Sequence, residues 1–95
     1  MEAAVAQDKH NIPLHFKLGN FYYTLAQYEN AYTHFMEVIS LEPQNSGAYY
    51  FAGRSAYSLG ETDTAIGCYK TYLQLNADSE EAAWIRKNVP ELSQK

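Results

Sequence analysis

The chain has one cysteine, Cys68, among 95 residues. A lone thiol cannot close an internal disulfide, so nothing in the sequence calls for an oxidising compartment. Basic residues are scarce as well: seven Lys and Arg stand against eleven Asp and Glu, giving a net charge of -4. They form no cluster, which argues against nucleic acid as a partner. No apolar stretch approaches the length of a membrane span. The opening Met1-Glu2-Ala3-Ala4-Val5-Ala6 lacks the basic start and long apolar core of a signal peptide. His10, His15 and His34 stand at no metal-ligand spacing, and neither His-Glu-x-x-His nor Cys-x-x-Cys occurs. A glycine-rich phosphate loop, a placeable Ser-His-Asp set and an Asn-x-Ser/Thr sequon are missing too. Catalysis, a cofactor and a bound metal therefore have no support in the sequence. The default expectation is a cytoplasmic protein, although a fragment of an exported or membrane-attached one would read the same.

Aromatic residues, by contrast, are plentiful at 15%, nine of them Tyr. With 46% apolar and 19% charged residues the chain can bury a core, and its length suffices for one small domain. Self-similarity organises that domain. Gly19, Tyr23, Leu25, Ala31 and Leu41 recur 34 residues later as Gly53, Tyr57, Leu59, Ala65 and Leu75. Five identities in an ungapped window exceed the roughly two expected from ordinary composition. Other pairs are like for like, as with Phe35 and Tyr69 or Ile39 and Leu73. A fixed period of this size signals a repeat architecture.

His15, Leu18, Gly19, Tyr22, Ala31, Phe35 and Pro43 form the first copy's signature; Tyr49, Ala52, Gly53, Ala56, Ala65 and Tyr69 form the second's, with Ala77 in place of the proline. On these positions the chain resembles the tetratricopeptide repeat family, whose pattern runs aromatic, Leu-Gly, aromatic, Ala-x-x-x-aromatic, Pro. The resemblance implies an all-α solenoid of antiparallel helix pairs in a right-handed superhelix. Residues 12–45 would form the first repeat, 46–79 the second and 80–95 a capping helix with its tail. Residues 1–11 would be an extension or the remnant of a preceding helix, with Ala3 to Ala6 favouring helix.

Five helices are expected, with no strand. The first runs over 12–25, with Pro13 in its opening turn, where the missing N–H costs nothing. The second covers 28–41 and is closed by Pro43. Asn45 or Ser46 caps the third, which ends at Leu59 with Gly60 behind it. The fourth covers 62–75. Asp78 with Glu81 reads as a capping box for the fifth, which Pro90 stops near Asn88, and Glu80-Glu81 favour its dipole. Gly19 and Gly53 should sit where a neighbouring helix passes close, since a mid-helix glycine costs up to about 1 kcal/mol otherwise. Ala31, Ala65, Phe35, Tyr69, Met36 and Leu73 read as core, and Cys68 as a structural thiol.

Once the core is assigned, Phe16, Lys17, Asn20, Tyr23 and Thr24 share a face of the first helix, and Tyr50, Phe51, Arg54, Tyr57 and Ser58 share its counterpart on the third. Five aromatics in ten positions is unlike a solvent face. In the family, the first helix of each pair lines a concave groove that holds peptide segments, so the resemblance implies that these ten residues face a ligand. The alternative is that Tyr50 and Phe51 only pack against their neighbours. Tyr23, Tyr50 and Tyr57 are the expected apolar anchors. Asn20 would hold ligand backbone, and Lys17 and Arg54 would steer acidic groups. Trp84 either covers the fourth helix or edges the groove.

The dicarboxylate clamp of co-chaperone members is not reproduced. Asn20 matches one of its positions, but Phe16, Phe51 and Glu81 replace polar or basic ones. The expected partner is a protein or peptide, acidic with apolar residues. Self-association into a homo-oligomer or a small secretion-type chaperone are the alternatives; nucleic acid and membrane insertion are not expected.

Overall fold

In the computed structural model, residues 11–89 and 92 are described. They form five helices and no strand: α1 (Ile12–Thr24), α2 (Tyr28–Leu41), α3 (Ser46–Ser58), α4 (Thr62–Leu75) and α5 (Glu80–Asn88). The expected extension at 1–10 and the stop at Pro90 lie outside the described residues. Asn11 starts α1, its side chain accepting from Leu14 N at 3.0 Å, with Pro13 in the first turn. Asn45 does the same for α3, accepting from Ala48 N at 3.1 Å. Each cap satisfies one of the four backbone donors a helix start leaves unpaired.

The turn inside each pair is built twice in one way. At the end of α1, Gln27 N donates to Tyr22 O and Ala26 N to Tyr23 O; at the end of α3, Glu61 N donates to Ala56 O and Gly60 N to Tyr57 O. These are Schellman closures, which need a left-handed residue just past the helix. Gly60 meets that need at φ 83°, whereas Ala26 meets it at φ 62° with a side chain attached.

One expected start is corrected. The fifth helix is capped by Ser79 and not by Asp78. Ser79 is extended at ψ 169°, and its Oγ accepts from Ala82 N at 3.0 Å. The same hydroxyl bonds the Tyr72 phenol, and that link between α4 and α5 sets where the cap falls.

Each helix packs against the next from α1 to α4. Ala31, Phe35, Ala52 and Cys68 make one buried cluster across the two pairs. The other joins the second pair to α5 through Tyr50, Ala65, Tyr69, Tyr72, Ala82, Ile85 and Val89. Phe51 and Tyr32 pack against both clusters. Gly19 lies beneath the Phe35 ring and Gly53 beneath Tyr69, so the two copies share one packing device.

Candidate functional site

Tyr23 from α1, Arg54, Tyr57 and Ser58 from α3, Tyr69 from α4, and Trp84 and Asn88 from α5 line a cavity of about 270 Å³. Four of the ten residues expected in the groove meet there, together with Trp84, the expected edge. Helical spacing explains the convergence. Arg54, Tyr57 and Ser58 sit at i, i+3 and i+4 on α3, and Trp84 and Asn88 at i and i+4 on α5.

Arg54 is the centre of the arrangement. Its guanidinium lies 4.4 Å from the Trp84 ring centroid, 5.6 Å from that of Tyr23 and 5.7 Å from that of Tyr50. Nη1 donates to Tyr50 Oη at 3.2 Å. These distances are within cation–π range, and the weakly hydrated guanidinium suits a ring-lined recess better than an ammonium would.

The other expected residues are placed as follows. Tyr50 is 7% exposed, packed against Phe51, Tyr72 and Trp84 at centroid distances of 5.1, 5.6 and 5.9 Å. It does not line this cavity; together with Phe51 it lines a separate hollow of about 160 Å³ beside Ser46, Tyr72 and Glu81. Phe16 and Phe51 are half-buried and pack edge to face on each other at 5.8 Å, beside Phe35. Asn20 Nδ2 donates to Phe16 O and Thr24 Oγ1 to Asn20 O, so both side chains are tied to their own helix. Lys17 is exposed and outside the cavity.

Two lining residues were not expected there. Asn88 is detectable only once α5 is placed. Tyr69 reads as core filler from sequence, and it is fully buried, but its hydroxyl has no hydrogen-bond partner. Burial raises the Tyr69 phenol far above the usual range, with nearby Arg54 pulling the other way. Burial raises Tyr23 as well, with Arg54 again pulling the other way.

A larger surface hollow of about 690 Å³ at the α2–α3 turn is lined by Glu42, Pro43, Gln44, Asn45 and Ser46. Asn45 is committed to capping α3 and to Glu42 Oε1, and none of the aromatic groove residues reaches it, so the smaller cavity is the better candidate. Among the described residues no group of three or more His, Cys, Asp or Glu could hold a metal ion, and no helix is long and apolar enough to cross a membrane.

Stacked antiparallel helix pairs with an aromatic recess on one side define a helical-repeat domain. The tetratricopeptide repeat pattern matches residues 12–45 and again 46–79, and the chain belongs to that family. Tetratricopeptide repeats mediate protein–protein interaction, and the family is a non-catalytic interaction module. Among characterised proteins the chain is similar to anaphase-promoting complex subunit 3 of Dictyostelium discoideum, with 31% identity over 77 residues. That alignment covers 81% of this chain but 8% of the relative.

Proposed function

We infer that the domain binds a peptide segment of a partner protein along the α1–α3 face, with the Arg54 cavity as the main contact. The convergence of Tyr23, Arg54, Tyr57, Ser58 and Trp84 from three helices on one recess carries this reading. Tyr23, Tyr57 and Trp84 are half-buried and offer ring surface, the residue types that dominate binding energy at interfaces. Tyr50 packs behind Arg54 and Trp84, and Phe51 behind Tyr23, which holds these lining residues in place. Arg54 supplies charge at short range, while exposed Lys17 steers approach.

The test is amide chemical-shift mapping with a peptide selected from a displayed library. Shifts clustered on Tyr23, Arg54, Tyr57, Ser58 and Trp84 support the groove. Shifts confined to the outer faces of α2 and α4 overturn it.

Self-association is a second reading favoured by one observation. Phe21 on α1 is 48% exposed, while its counterpart on α3, Ser55, is fully buried. The position that α3 buries against its neighbour thus carries an exposed ring on α1. Molar mass by light scattering decides: a monomer at high concentration argues against this reading.

A further inference from the structure

Arg54 brings a full positive charge into a half-buried recess without bringing its counter-charge. Among the described residues its contacts are the Tyr50 and Tyr23 phenols and three ring faces, none of them a carboxylate. Partly desolvating a cation is costly, and ring faces offset only part of that cost. The second anomaly lies in the same cavity. Tyr69 is fully buried and its hydroxyl is unpartnered, although buried polar groups are nearly always hydrogen-bonded. The first repeat shows that the fold does not need this oxygen. Its counterpart, Phe35, is equally buried over the matching glycine and carries none. A cation without an anion and a donor without an acceptor therefore line one space of about 270 Å³, with Ser58 and Tyr57 on its wall.

We propose that this cavity is a socket for a single carboxylate, carried on a Glu or Asp side chain within the bound peptide. One carboxylate oxygen accepts from the Arg54 guanidinium and the other from the Tyr69 or Ser58 hydroxyl. Charge-assisted bonds of this kind are the strong ones. The charge count selects the group. One guanidinium balances one carboxylate, whereas a phosphate ester carries roughly -1.5 to -2 and calls for a second cation. Lys17 is not in the cavity. Shape selects the carrier, since a recess of about 270 Å³ walled by four helices admits a slim methylene stalk more readily than a chain terminus with its flanking backbone. The proposal rests on the groove reading and adds to it the chemistry of one subsite.

The experiment uses four degenerate libraries of acetylated twelve-residue peptides. Three are amidated, with Glu or Asp, Gln or Asn, or phosphoserine fixed at the centre; the fourth has no acidic side chain and a free C-terminal carboxylate. The full chain should retain the acidic library about tenfold better than its amide counterpart, the scale of a charge-assisted hydrogen bond. Arg54→Gln should erase that preference. Tyr69→Phe combined with Ser58→Ala should weaken it several-fold while melting no lower than the parent, which separates loss of the socket from loss of the fold. Equal retention of the acidic and amide libraries overturns the socket and leaves the groove standing. Preference for phosphoserine or for the free terminus overturns the assignment of the group. Retention of no library by a folded parent overturns the groove as well.

Discussion

The backbone of Gly53 lies directly under the Tyr69 ring: a Cβ added there would come within 2.6 Å of Cε1 and 2.8 Å of Cδ1. Gly19 stands in the same relation to Phe35, at 2.7 Å from Cε1. Gly67, also within a helix, has nothing within 4 Å of such an atom. The expected effects are opposite in sign. Gly53→Ala forces the ring to move and should cost about 1–3 kcal/mol, reduced by up to about 1 kcal/mol of helix propensity. Gly53→Leu should prevent folding. Gly67→Ala gains propensity with no clash and should stabilise by about 0.5–1 kcal/mol. Thermal melts of the three variants check this.

The unpartnered hydroxyl of Tyr69 gives a second expectation. Removing it in Tyr69→Phe deletes a buried group that makes no hydrogen bond, so stability near neutral pH should hold or rise, by up to about 1–3 kcal/mol. At alkaline pH the difference grows. Burial raises the Tyr69 phenol above its ordinary 10.0, so the unfolded chain ionises first as pH climbs. The native state then binds more protons, and stability falls with pH. The contribution is complete below pH 10 and is lost above it. Tyr23, Tyr32 and Cys68 are raised by burial as well and act in the same direction. Urea midpoints between pH 8 and 11 should fall less steeply for Tyr69→Phe than for the parent, without becoming flat.

Ser79 and Asp78 are adjacent residues of the cap-forming class, yet they should behave differently. Ser79→Ala removes the acceptor for Ala82 N and the partner of the Tyr72 phenol, which keeps only its contact with Asn76. A loss of about 1–2 kcal/mol is expected, against little change for Asp78→Ala. Denaturant titration of both variants tests it.

The paired turns give a fourth expectation. Gly60→Ala places a side chain at φ 83° and should cost about 1 kcal/mol. Ala26→Gly relieves the strain at φ 62°, but it also loosens the unfolded chain, so its gain should be smaller than the Gly60→Ala loss. Calorimetry on the two single variants compares the magnitudes.

The helices were legible because a 34-residue period repeats not only residue types but the pairs that must touch. Gly19 with Phe35 and Gly53 with Tyr69 occupy equal spacings. The start of α5 was read one residue early because Asp78 satisfies the same local rule as Ser79, and only the long-range bond to Tyr72 chooses between them. The repeat puts the ten expected groove residues on α1 and α3 but cannot say how much surface each keeps. Tyr50 is covered by Trp84, which lies outside the repeats and so has no internal copy to place it. The Tyr69 hydroxyl is not legible in the repeat, because Phe and Tyr are nearly equal in volume and either ring fills the space over the glycine.

Phe51 stacks on Phe35 at 5.5 Å and meets Phe16, Tyr23 and Tyr50 at 5.8, 6.4 and 5.1 Å, so one ring belongs to the packing of both clusters. In a linear array, whether the units melt together depends on the strength of the coupling between neighbours. Here Phe51 shares that coupling with Tyr32 and with the cluster of Ala31, Phe35, Ala52 and Cys68. Phe51→Ala should therefore loosen the joint between the two helix pairs, and the thermal transition of that variant should be broader than the parent's.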